Sequence, residues 1–178
     1  MSGIPQTLRA LQDFPATLRA FLADVPAAAL DWQPASWVGV PSEALTVRQQ
    51  VCHVRDIEID GYLVRFDRLL NETAPVLPSI DTDGLVLSRR YDEADLATAL
   101  HDFEDARRKT ITLLAGLPPA ALARAGTFEG YGPVTVQGLI HYLCSHDQQH
   151  LAGIQWLAGQ YASQPAEDAG PFLRGSSA

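Results

Sequence analysis

The chain has 178 residues, 47% of them hydrophobic and 19% charged, which suits a single folded domain with a sizeable core and argues against a disordered polymer. A net charge of -8 argues against a nucleic-acid or anionic-membrane surface, since both need clustered Lys and Arg. No apolar run approaches a membrane span, and the start, MSGIPQTLRALQDF, lacks a basic head followed by an apolar stretch, so a cytoplasmic protein is expected.

In chain order, four segments carry a helical period. The first covers roughly Pro5 to Ala23, with Leu8, Leu11, Phe14 (or Pro15), Leu18, Phe21 and Leu22 spaced for one face and Pro15 as a candidate bend. The second covers roughly Val47 to Leu70, opened by Thr46 with Gln49 three residues on, the capping-box pattern. The third covers roughly Glu93 to Gly116, with Asp92 as N-cap and Leu96, Leu100, Phe103, Ala106 (or Arg107), Thr110, Leu113 and Leu117 as its stripe. The fourth covers roughly Val134 to Gln160, after the turn-forming stretch EGYGP. Strand signals are weak throughout, and the expected fold class is all-α.

The connections are long: Asp24 to Leu45, Asn71 to Tyr91 and Leu117 to Pro133. Loops of that length are often functional, and these carry Trp32, Trp37, Phe128 and Tyr131, which either roof a pocket or cap the ends of the helices. One domain is expected over 1–161, followed by a flexible tail over 162–178 that contains SQPAEDAGP and GSSA.

A faint repeat links the halves. LADVPAAAL at Leu22 resembles LAGLPPAAL at Leu114, and each precedes a loop and a helix opening with Thr-Val, TVRQQVCHV at Thr46 and TVQGLIHYL at Thr135. Two copies of one helix–loop–helix unit imply a four-helix bundle with approximate two-fold symmetry.

The fourth segment holds the chemistry. Leu139, Leu143, His146, His150, Ile154 and Leu157 follow at helical spacing, so two imidazoles occupy the middle of a buried stripe. Residues four apart on a helix are rotated by about 40° and lie about 6 Å apart along the axis, which allows both rings to face one ion. Aligning the Thr-Val starts sets His53 opposite Tyr142, one turn from His146 on the same face, so His53 is the candidate third ligand. Three neutral nitrogen ligands leave coordination positions open, the mark of a reactive rather than a structural metal. Singly, each histidine also reads as an ordinary core or surface residue, and HDQQH is not the HExxH pattern of zinc proteases.

Asp56, Asp60 and Asp147 are candidate partners for free ring nitrogens, although Glu58 and Asp147 fall off the inward faces and read as solvated. His141 and His101 read as surface or structural residues. Cys52 and Cys144 form no CxxC pair and read as small buried hydrophobes, with a catalytic cysteine the minor alternative because adjacent helix residues diverge by about 100°.

These motifs, TVRQQVCHV, SHDQQHLAGIQWL and a Trp-containing loop before the second helix, resemble the DinB/YfiT-like superfamily of metal-binding four-helix proteins over nearly the whole chain. The resemblance implies a bundle with long crossover connections, a metal triad on His53, His146 and His150, a divalent ion (zinc or nickel) in a pocket at one end of the bundle, and frequently a homodimer. It also implies a thiol-dependent transferase using bacillithiol, mycothiol or glutathione on small electrophiles. A hydrolase using water, a non-catalytic binding protein and a purely structural bundle are the alternatives.

Overall fold

A computed structural model describes residues 4–165 of the chain. Helix α1 spans Ile4–Ala23. The second long helix is continuous but composite: α2 (Val47–Asp56), a π-helical segment (Ile57–Tyr62) and α3 (Leu63–Asn71). After strand β1 (Val76–Leu77) and short helix α4 (Thr82–Ser88) comes α5 (Leu96–Leu114). Short helix α6 (Pro119–Leu122) and a hairpin of β2 (Ala125–Phe128) and β3 (Gly132–Thr135) lead into α7 (Val136–Ala162).

The four long helices form the expected bundle. Thr46 and Thr135 are N-caps at equivalent points of the repeat, accepting from the backbone N–H of Gln49 and Gly138 respectively, and the Thr46 backbone N–H in turn donates to Gln49 Oε1. Asp95, not Asp92, caps α5, because Asp92 sits in a separate turn over Tyr91–Glu93. Pro15 lies within α1 without ending it. Phe21, placed on the buried stripe by its spacing, is 40% exposed; Leu18 and Leu22 fill that face instead. The tail expected over 162–178 falls, from residue 166 onward, outside the described residues.

The long connections carry the structure that periodicity could not show. β1 pairs in parallel with β2, and β2 pairs antiparallel with β3, so residues 76–77 are tied to the hairpin at EGYG. Strands of two to four residues are too short for alternation to register in the sequence.

The core divides into two apolar clusters. One gathers Leu11, Tyr62, Phe66, Leu69, Leu139, Ile140 and Leu143. The other gathers Phe14, Leu18, Val51, Val54, Phe103, Leu151, Ile154 and Leu157. On each long helix the clusters change over part-way along, and on three of the four the residues near the switch are polar: His53 and Glu58, Arg107, and His146, Asp147 and His150. The bundle is cut at mid-height by a polar layer. This differs from the pocket at one end of the bundle that the resemblance implied.

Candidate metal centre

The three expected histidines come together. His53 Nε2 and His146 Nε2 stand 3.2 Å apart, and one nitrogen from each of His53, His146 and His150 lies within 4.8 Å of the others. Four-coordinate nitrogen ligands about 2.1 Å from one ion are themselves separated by roughly 3.4 Å, so the spacing suits a shared cation. His53 and His150 are buried and His146 is half-buried.

Hydrogen bonds decide which nitrogen His150 presents. Its Nδ1 bonds to Gln50 Oε1, which can only accept, so the ring proton sits on Nδ1 and Nε2 keeps its lone pair. Gln50 Nε2 in turn donates to Ser42 Oγ at 2.7 Å and to the Glu43 and Leu45 carbonyls at 3.3 Å. One amide therefore fixes both a ring and the loop before α2. That loop places Glu43 Oε2 3.3 Å from His150 Nε2. The nitrogens His53 Nδ1, His146 Nδ1 and His150 Nε2 are buried without a hydrogen-bond partner.

Burial pushes the pKa of His146 and of His150 well below the usual imidazole value, with the neighbouring rings pushing the same way. Burial lowers His53 as well, against the raising charges of Glu43 and Asp56. All three rings are neutral at pH 7, the form that ligates a metal. At 3.2 Å one Nε2–H of the His53–His146 pair can donate to the other ring, and with His150 Nε2 buried and unpartnered close by, one nitrogen from each of the three neutral rings can instead share a cation. The donor set fits a divalent metal.

The candidate outer partners are placed differently. Asp147 and Glu58, expected to be solvated, are both buried: Arg107 donates to Asp147 at 2.7 and 3.0 Å, to Glu58 at 2.9 Å and to the Leu11 carbonyl at 3.0 Å. Their inward turn follows from Arg107, the second option at that point of the third stripe, being buried alongside Ala106. Asp56 is also buried but accepts from Arg55 and Tyr91 and pairs with Arg89, while Asp60 pairs with Arg89. None of these acids holds a histidine ring. Gln50, which does, escaped the sequence reading; its signal was a polar side chain in the buried stripe one turn before His53. Glu43 lies in an irregular loop and had no signal.

The remaining histidines match expectation, and of the two cysteines read as buried, Cys52 is buried while Cys144 is half-buried. His101 and His141 are exposed, His141 beside Thr7 Oγ1 at 3.4 Å. Cys52 and Cys144 are free, and burial pushes the Cys52 thiol up to about 11, which leaves it unreactive near neutrality. Trp32 packs edge-on against Tyr161 and Trp37 stacks on Trp156, so the tryptophans cover the outer part of α7 beside the second apolar cluster. Phe128 and Tyr131 stack on each other, and Tyr131 reaches Tyr142, one helical turn before His146.

A family model for the DinB superfamily matches residues 10–154. The chain belongs to the DinB superfamily. Its fold is that of a solved DinB-like structure, YfiT from Bacillus subtilis, with a TM-score of 0.79 at 20% sequence identity over 91% of this chain and 90% of that one. YfiT is described as a probable metal-dependent hydrolase with an unusual four-helix bundle topology. No curated protein matches the sequence. Among the described residues of this DinB-superfamily chain, no helix is long and apolar enough to cross a membrane.

Proposed function

We propose that the protein is a divalent-metal-dependent hydrolase of a small molecule, in which His53, His146 and His150 hold the ion. The observation that carries this reading is the convergence of three neutral imidazoles on one point, with His150 Nε2 presented by the Gln50 amide and the half-exposed Glu43 beside it. When bound, a zinc or nickel ion supplies Lewis acidity that polarises water or a carbonyl. Glu43 stands beside the cluster, half-exposed and 3.3 Å from His150 Nε2, where its Oε2 accepts a proton from attacking water. The apolar layers above and below keep bulk water from the other sides, which strengthens each charge interaction within. The hydrolase description of YfiT supports the same reading.

Transfer to or from a low-molecular-weight thiol, which the family resemblance implies, would use the same three ligands. A carboxylate at the position of Glu43 can take a proton from water or from a thiol, so the preference for water rests on the hydrolase description of YfiT. We place the enzyme in the cytoplasm, a reading supported by its two unpaired cysteines.

Purified protein is expected to carry about one divalent ion per chain, with His150→Ala lowering metal content sharply by elemental analysis. Ester and amide panels should show turnover without added thiol, abolished by chelator and restored by zinc or nickel. Glu43→Gln should retain the metal and lower kcat by about 10²- to 10⁴-fold. Turnover that requires bacillithiol, mycothiol or glutathione would replace hydrolysis by transfer. Metal content unchanged in His150→Ala would remove the ligand assignment, and a small molecule retained without being consumed would identify a binding protein.

A further inference from the structure

Among the described residues two arginines are buried, and their surroundings differ. Arg107 lies between the carboxylates of Asp147 and Glu58, whereas Arg65, only 5% exposed, has no carboxylate partner among the described residues. Arg65 Nε and Nη2 both donate to one acceptor, the Pro78 carbonyl, at 3.3 and 2.9 Å. The guanidinium lies over Phe128, 4.4 Å from its ring centroid, and 5.4 Å from that of Tyr62. Aromatic faces offset part of the desolvation of such a cation but supply no counter-charge.

The local backbone is built around this group. Gly61 and Tyr62 close the π-helical segment, a helix form that recurs at functional sites. A Cβ at Gly61 would stand 2.9 Å from Arg65 Nη1 and 3.1 Å from Ile80, so the glycine leaves the space that this guanidinium edge occupies. Neither Arg65 Nη1 nor the Tyr62 hydroxyl has a hydrogen-bond partner among the described residues, and neither belongs to the polar atoms that are both unpartnered and sealed from solvent. The Tyr62 ring is 5.8 Å from that of His146.

We propose that Arg65 and Tyr62 form a receptor for the carboxylate of a small apolar acid, held one aromatic ring away from the three histidines. A single cationic edge and one hydroxyl match a monoanion; a phosphate dianion would retain an uncompensated charge among Phe128, Tyr62 and Ile80. The inference rests on the hydrolase reading for its substrate class: the molecule hydrolysed carries a free carboxylate besides the bond that is cleaved.

The test uses the full-length chain, metal-free and 15N-labelled, titrated at neutral pH and constant ionic strength with benzoate and with its neutral isostere benzamide. Benzoate is expected to shift the Arg65 Nε–Hε resonance saturably, benzamide to leave it in place, and Arg65→Met to weaken benzoate binding at least about tenfold. Equal shifts with benzamide, no saturation with benzoate, or unchanged affinity in Arg65→Met would overturn the proposal. If Arg65→Met does not fold by circular dichroism, Tyr62→Phe carries the test: affinity should fall by roughly threefold, and unchanged affinity would overturn it. Because no metal is present, a negative result leaves the metal and hydrolysis experiments standing, and their failure leaves this one interpretable.

Discussion

An amide side chain has a donor end and an acceptor end, and Gln50 uses both: its N–H groups hold the Ser42 hydroxyl and the Glu43 and Leu45 carbonyls while its oxygen orients His150. Replacing it with Ala removes the acceptor that keeps the ring proton on Nδ1, and frees the loop that carries Glu43. Gln50→Ala is therefore expected to weaken zinc binding by about 10- to 100-fold in competition with a chromophoric chelator, with the bundle intact by circular dichroism. Asp56 shows the same dependence on partners in its ionisation. Burial alone would raise its pKa, but hydrogen bonds from Arg55 and Tyr91 and the charges of Arg55 and Arg89 prevail and hold it below the ordinary 3.8. A depressed folded pKa contributes stability that is present above the unfolded value and lost as pH falls through the folded one. The stability gap between wild type and Asp56→Asn in denaturant unfolding should thus be full at pH 7 and shrink below about pH 4; a gap that stays constant through that window would contradict the assignment.

At the scale of the element, two of the three glycines of α7, Gly153 and Gly159, have opposite surroundings. Ala exceeds Gly in helix propensity by about 1 kcal/mol, so a substitution in open space should stabilise the chain. Gly159 is such a place, with nothing within 4 Å of an added Cβ, and Gly159→Ala is expected to raise Tm by a few degrees. At Gly153 an added Cβ would collide with Ser42 Oγ and Gln50 Nε2. Gly153→Ala should reverse the sign, lowering both Tm and metal affinity, because the collision falls on the amide that orients His150. Equal effects at the two positions would show that the close approach of α7 to the 42–45 loop is not maintained in solution. The composite second helix follows a related logic. Its π-helical segment inserts an extra residue per turn where Glu58 faces Arg107 and Tyr62 faces His146, an alignment that a strict 3.6-residue period does not reach.

Across the whole molecule, the polar layer splits the core, and Arg107 ties four elements through it: α5, which carries it, α1 through Leu11, the π-helical segment through Glu58, and α7 through Asp147. Removing the cation alone strands two buried carboxylates, so Arg107→Met is expected to cost roughly 3–5 kcal/mol in chemical denaturation. Adding Glu58→Leu and Asp147→Leu should recover most of that loss, since an apolar replacement of a buried ion cluster is often neutral or stabilising. A single variant as stable as wild type would mean that the cluster is hydrated rather than sealed.

Much of this protein is local in origin, and that part the chain discloses without its structure. Four helices, the Thr46 and Thr135 caps and the Leu139–Leu157 stripe follow from 3.6-residue periodicity and capping chemistry, which act within a few turns. The spacing of His146 and His150 is local too, and the internal repeat carried His53 to them across the bundle. What only the tertiary structure decided depends on contacts between residues distant in the chain: the polar layer at mid-height, the burial of Glu58 and Asp147 around Arg107, the Gln50 amide between a ring and a loop, and Glu43 beside His150. Periodicity assigns a face to a side chain but not its partner. A buried charge is tolerable only where an opposite charge from another helix arrives, so whether Asp147 met solvent or Arg107 depended on how α5 and α7 pack.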